Sequence, residues 1–268
     1  MMKKILLVAI ACIIIGVIGI SQTYEKAVQT AEEGNKEDVI KNETLKNIEV
    51  KLDAGDIVVQ KSPDSSFYVK QSGDIRKQEV LITEDGDTLK IIGERENGAS
   101  FDFSFYNFKI QTSTLTILVP ERLYQDIKVN SSAGQIEMSD VKSDHVSVGT
   151  LAGEVDLKHV TAQSVEGSTK AGEVNLKKVI GKVTVKTASG DVYVVDHDPK
   201  YDVEASSTAG DVDITLLEKT QDAVITGQSA TGDVMIFNEE NKNITIGNGS
   251  KKISGKTAAG DVTIETRS

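Results

Sequence analysis

The feature that most constrains this chain is a ladder of glycines. Gly134, Gly153, Gly172, Gly190, Gly210, Gly232 and Gly260 follow one another at spacings of 19, 19, 18, 20, 22 and 28 residues. The residues around them fall into columns. Seven before each glycine stand Ile127, Val146, Val165, Val183, Val203, Ile225 and Ile253. Three before stand Ser131, Thr150, Thr169, Thr187, Ser207, Ser229 and Thr257. One before stand Ala133, Ala152, Ala171, Ser189, Ala209, Thr231 and Ala259. One after stand Gln135, Glu154, Glu173, Asp191, Asp211, Asp233 and Asp261. Aliphatic residues follow at two after (Ile136, Val155, Val174, Val192, Val212, Val234, Val262) and four after (Met138, Leu157, Leu176, Val194, Ile214, Ile236, Ile264). Repeats of this length bury their apolar face only by stacking on one another.

The register has a physical meaning. Before each glycine the marked positions are odd offsets, and after it they are even. Period-2 alternation holds on both sides, and the parity slips by one at the glycine. One extra residue at a corner does this, and glycine tolerates the backbone it requires. Each repeat is therefore a strand, a corner, a strand and a return. Stacked in parallel, equivalent residues lie about 4.8 Å apart, so seven rungs span roughly 34 Å. The predicted fold is all-β: a single-chain parallel β-solenoid, β-helix-like, with rungs of about 19–20 residues. Val and Ala read as stacking columns, and the acidic residue alone faces outward. An eighth copy, Ile48 to Val59 around Gly55, fits every column except that Leu52 replaces the hydroxyl. The last rung reads as an open edge, guarded by Lys251, Lys252, Lys256 and Arg267 or paired with another copy.

Five segments follow from this pattern. Residues 1–4 are a cytoplasmic basic end, with Lys3 and Lys4 keeping the N-terminus on the inner side of the membrane and the bulk of the chain outside. Residues 5–20 are apolar and make an N-terminal hydrophobic helix of about 24 Å, against a bilayer core of ~30 Å. An uncleaved signal anchor is the preferred reading. A signal peptide cleaved near Gly19-Ile20-Ser21 and a lipoprotein attached through Cys12 are the alternatives. Residues 21–43 are a polar linker with short helical character around Glu25–Glu33. Residues 44–126 are an irregular β region and cap, including a hairpin at Asp85-Gly86-Asp87 and the strand Leu115–Val119 stopped by Pro120. Residues 127–268 are the seven-rung solenoid. Cys12 is the only cysteine, so no disulfide supports the exported part.

The whole chain carries 30 basic and 41 acidic residues. That balance argues against nucleic acid and anionic lipid surfaces as partners, apart from the membrane contact through residues 5–20. No cofactor motif is present. The acidic column of Glu154, Glu173, Asp191, Asp211, Asp233 and Asp261 could gather cations weakly, since stacked carboxylates repel by about 0.9 kcal/mol per neighbouring pair in water. The preferred reading is a solvated turn residue bonding its own backbone. The hydroxyl column has no histidine column beside it, so it reads as structural rather than nucleophilic. His145, His159 and His197 share no column and lack metal-ligand spacing, and they read as surface or edge residues. Phe101, Phe103 and Phe105 alternate onto one face, with Tyr106 and Phe108 on the other. They read as a cap over the end of the stack or as a patch for a partner, glycan or membrane surface.

The repeated AGDV and SGDV rungs, preceded by a shorter β region ending in LTILVP, resemble the bacterial putative-adhesin β-strand-repeat domain of unknown function, which includes LiaG-like envelope proteins. The resemblance covers about residues 44–268. It implies a cell-envelope protein associated with adhesion or envelope stress. The expected function is therefore a non-enzymatic, membrane-anchored surface module that binds protein or an envelope or glycan surface, with the oligomeric state left open. An accessory regulator binding a membrane partner is the second reading. A polysaccharide-acting β-helix enzyme is the third, disfavoured because the carboxylates form a row rather than a converging pair and Trp is absent.

Overall fold

The computed structural model describes residues 36–73, 78–95 and 113–267. The predicted N-terminal helix and the aromatic residues 101–108 lie outside them. All 22 regular elements among the described residues are strands. First come β1 (Lys36–Ile40), β2 (Asn47–Leu52), β3 (Asp56–Lys61), β4 (Phe67–Ser72), β5 (Gln78–Asp85), β6 (Thr88–Arg95) and β7 (Thr114–Val119). Five rungs then contribute a strand pair each: β8 (Leu123–Ala133) with β9 (Ile136–Ser139), β10 (Lys142–Ala152) with β11 (Val155–Lys158), β12 (Thr161–Ala171) with β13 (Val174–Lys177), β14 (Ile180–Ser189) with β15 (Val192–His197), and β16 (Val203–Ser206) with β17 (Val212–Leu216). The Gly232 rung is β18 (Ala223–Thr231) and β19 (Val234–Ile236). Next comes β20 (Asn243–Ile246), and the Gly260 rung is β21 (Lys251–Ala259) and β22 (Val262–Thr266). The segment read as a linker thus supplies a strand, β1.

The parity slip at each glycine sends the two halves of a rung into different sheets. Sheet A runs β1-β4-β7-β3-β9-β11-β13-β15-β17-β22-β19, and sheet B runs β20-β18-β21-β16-β14-β12-β10-β8-β2-β6-β5. Rungs stack in parallel and in the register of the columns, as in Val146↔Val165 and Val155↔Val174. The column seven before the glycine is at most 1% exposed throughout, and the columns two and four after it are buried as well. Each such aliphatic contributes roughly 1.5–3 kcal/mol of burial. The alanine column is different from expectation. Ala133, Ala152 and Ala171 are exposed, because the slip turns both neighbours of the glycine outward.

The order of rungs in space is not their order in the chain. At the N-terminal end, β2 and β3 sit directly on β8 and β9, with Ile48 beside Ile127 and Ile57 beside Ile136. Beyond them β6 and β7 form a ninth, degenerate rung, with Leu89 beside Ile48 and Leu115 beside Ile57. Antiparallel β5, β4 and β1 finish this end. Arg122 packs here between the rings of Phe67 and Tyr124, and its Nη1 donates to the Glu43 carbonyl at 2.8 Å.

The C-terminal rung corrects the expectation of an open edge. β21 lies between β16 and β18, so Ile253 contacts both Val203 and Ile225. β22 lies likewise between β17 and β19, with Val262 beside Val212 and Val234. The last rung is therefore interior, and the Gly232 rung is the outer one. The long spacing before Gly260 explains how. Its extra residues carry β20 onto the far side of β18, antiparallel, and then return to β21.

Candidate functional site

The repeated corner brings a glycine, a hydroxyl and a further polar side chain together in each of the seven regular rungs. Its glycines have φ from +127° to +144° in the seven regular rungs, a region L side chains rarely adopt. Space is the second constraint. A Cβ on Gly172 would lie 2.0 Å from the Gly153 carbonyl oxygen, and one on Gly153 would lie 2.0 Å from that of Gly134. From Gly134 through the stack to Gly260, each glycine carbonyl points at the next glycine in space, and the hydroxyl column supplies hydrogen bonds to these carbonyls. Thr169 donates to Gly153 and Thr187 to Gly172, both at 3.0 Å. Ser207 donates to Gly190, Thr257 to Gly210 and Ser229 to Gly260, each at 2.8 Å. The glycine and hydroxyl columns are thus one device, which keeps the buried carbonyls satisfied. A hydroxyl committed in this way is not a nucleophile.

The acidic column also bonds along the stack rather than to its own turn. Asp191 Oδ1 accepts the Asp211 N–H at 2.7 Å, and Asp211 Oδ1 accepts that of Asp261 at 2.8 Å. Asp261 accepts the Asp233 N–H at 2.8 Å, following the spatial order of the rungs. Asp56 does the same for Gln135 at 2.9 Å. Glu154 is one methylene longer and instead accepts the side-chain amide of Asn175. Among the described residues, no three His, Cys, Asp or Glu side chains gather as a metal site.

Three after the glycine, on the outer face of sheet A, a second row places Glu137, Asp156 and Asp213 among Asn175, Tyr193 and Thr263. Asp156 is nearly buried there and accepts from Gln135 Nε2 at 2.8 Å. Burial pushes the Glu154 carboxyl above the usual carboxylate range, and Asp156 and Glu173 add to the effect. Asp213 is pushed up by burial too, reinforced by Asp211 and Asp191 against a bond from Thr263. Burial raises the Tyr193 phenol to about 12, helped by its bond to Asp191 at 3.1 Å. Amides and hydroxyls from Gln135, Asn175 and Tyr193 bond the carboxylates, which are held as acceptors and offer no converging acid and base among these residues.

The histidines separate into two kinds. His145 and His159 are exposed as expected; His159 faces Asp140 at 3.4 Å. On the outer face of sheet B, Asp126, His145 and Ser164 stand in register on adjacent strands, with His145 Nδ1 2.8 Å from Ser164 Oγ. The shared offset of eight before the glycine was the signal for this row. It lies on strand surface, where His145 is exposed and Asp126 and Ser164 are half-buried. His197, by contrast, is 1% exposed, against the expectation of an edge position. It occupies the column seven after the glycine, where Val141, Val160 and Val179 are buried in earlier rungs. The partner-patch residues Phe101, Phe103, Phe105, Tyr106 and Phe108 lie outside the described residues. No helix of the described residues is long and apolar enough to cross a membrane.

This geometry can be compared with known proteins. A “putative cell adhesion protein” from Clostridium sporogenes is 11% identical, with a TM-score of 0.46, covering 88% of this chain and 100% of its own. A “putative lipid binding protein” from Parabacteroides distasonis is 13% identical, with a TM-score of 0.44 and coverage of 89% and 98%. A “putative adhesin” from Bacteroides fragilis is 13% identical, with a TM-score of 0.42 and coverage of 87% and 98%. No curated protein matches the sequence significantly. The Toastrack DUF4097 profile matches residues 45–179 and again 124–265, which together span the stacked rungs. The chain, with its glycine-cornered rungs in two parallel-rich sheets, belongs to the Toastrack DUF4097 family.

Proposed function

We propose that this chain is a non-enzymatic, adhesin-like interaction module of the cell envelope, displayed outside the membrane. Residues 1–4 would be its cytoplasmic end, 5–20 its anchor and the part of 21–43 ahead of β1 a tether. Residues 44–126 and 127–268 would form the displayed β region and solenoid. The observation that carries this reading is the fate of the repeated polar groups. The hydroxyls and aspartates of the corner are bonded to the backbone of neighbouring rungs, so the repeat builds a stiff rod. What remains for a partner is the long outer faces and the departures from the repeat. The partner in this reading is a protein or an envelope or glycan surface.

The test is recovery of partners from the native membrane with the full-length protein. Enrichment of surface or matrix material, reduced by altering outer-face residues such as Asp213 and Tyr193, supports the proposal. Turnover of an envelope polysaccharide by the purified chain would overturn it.

A further inference from the structure

His197 is the one histidine of the described residues that stands in an apolar column. Its Nε2 lies 3.1 Å from the Tyr201 carbonyl oxygen. A carbonyl only accepts, so Nε2 carries the proton and the neutral ring leaves Nδ1 as a bare acceptor. That Nδ1 is buried and has no hydrogen-bond partner. Adding a proton there would place a cation and an unbonded donor in a site that holds valine in three earlier rungs.

The ring is also well placed to act on its surroundings. Its bond to Tyr201 pins the turn of residues 198–202. The next residue, Asp202, accepts the Lys252 N–H through Oδ1 at 3.0 Å, at the start of the inserted C-terminal rung. Lys252 Nζ is further held by Glu204 at 2.9 Å. The other end of that rung returns to the same corner, where Arg267 Nη1 sits 3.3 Å from Asp196 Oδ1. The Leu217 N–H also bonds the His197 carbonyl, at 2.8 Å. One buried ring therefore sits behind contacts that seat both ends of the last rung.

We propose that His197 is an acid-sensitive latch: its protonation frees the turn 198–202 and, with it, the clamps that seat the C-terminal rung. The charged groups on the elements around it are Asp196 and Asp198 on its own strand and turn, Lys200 paired with Asp198, and Asp202. Lys178 comes from the preceding rung, Glu218 and Lys219 from the segment after β17, and Arg267 from the end of β22. Burial holds the ring below the ordinary histidine value of 6.5, against the Tyr201 bond and the pull of Asp198 and Asp202. A base depressed in the folded state is protonated first in the open state. The latch is therefore closed above about pH 6.5 and is lost as the pH falls below it.

The decisive experiment is hydrogen exchange on the full-length chain at pH 7 and pH 5, comparing the wild type with His197→Val, the residue used at this position in three other rungs. Segments 198–202 and 251–267 of the wild type should lose protection on acidification, by up to tenfold per pH unit. Segment 142–152 should not, and the variant should show no selective loss. Equal responses of the two proteins would overturn the proposal. If the variant fails to fold, the wild-type ring decides: an NMR titration placing His197 at or above the ordinary value refutes the latch, and one placing it below supports it.

Discussion

Replacing Gly172 with Ala should be among the most damaging single-methyl changes this chain can receive. The new Cβ would lie 2.0 Å from the Gly153 carbonyl oxygen and 2.6 Å from its carbon, both backbone atoms that cannot swing aside. The backbone at φ +139° adds strain of about 1–3 kcal/mol for an L side chain. Relief requires the two rungs to separate. That breaks the bonds between them at this corner: Gly153 N–H to Ala171 O and Val155 N–H to Glu173 O, both 2.9 Å, and Thr169 Oγ1 to Gly153 O. Each is worth about 0.5–1.5 kcal/mol. The expected loss is about 5 kcal/mol, a large share of the 5–15 kcal/mol typical of a domain. Gly86→Ala is the control. Its φ is +62°, nothing lies within 4 Å of the added methyl, and it should cost about 1–2 kcal/mol. Urea unfolding followed by circular dichroism measures both. Equal losses in the two variants would refute the claim that close approach, and not backbone strain alone, reserves the column for glycine.

Other consequences are as direct. Thr169→Val keeps the shape but strands the Gly153 carbonyl, and should lower stability by about 1–2 kcal/mol in the same assay. Asp211→Ala removes the acceptor for the Asp261 N–H and should cost about 1 kcal/mol, whereas Asp211→Asn, which keeps an acceptor, should cost less than half of that. Lys178 is exposed with φ +54°, so Lys178→Gly should raise stability by about 0.5–1 kcal/mol, read as a higher melting temperature. Burial raises the Tyr124 phenol to about 12 from an ordinary 10.0. The unfolded chain therefore loses that proton first, and about 2–3 kcal/mol of stability should drain away between pH 10 and pH 12. Tyr124→Phe should flatten that part of the pH profile.

Much of this architecture was legible because like stacks on like. The aliphatic, hydroxyl and glycine columns could be aligned by eye, and the offset arithmetic put each on its observed side. The alanine column could not be placed so easily. Alanine is small enough to suit either face, and only the geometry of the slip shows that Ala152 looks outward beside Glu154. The true neighbours of each rung were hidden by the very regularity that exposed the repeat. Val203 is matched as well by Ile225 as by Ile253, so column chemistry does not choose between them. The choice is made by the connection from Ile236 to Lys251, whose length permits β20 and a return. His197 was misread for the opposite reason. Its column lies past the positions that define the motif, and placing it beside Val141, Val160 and Val179 would have shown a core site. The aspartates were recognised as a row, but their bond to the next rung depends on a spacing that only the stacked structure supplies.

The interior position of β21 and β22 has a consequence for how the molecule is made. A solenoid whose rungs stacked in chain order could zip up as it emerged, each rung adding to the last. Here β21 and β22, which follow every other described strand in the chain, belong in the middle. Until they arrive, β18 and β19 have two neighbours to choose from: the rung to come, or β16 and β17, whose Val203 and Val212 offer matching columns. Seating β21 and β22 is therefore an insertion between two rungs rather than an addition to one. A chain cut short before Lys251 would lack a layer from the middle of its stack rather than from its edge, leaving β18 and β19 without the parallel strands they pair with.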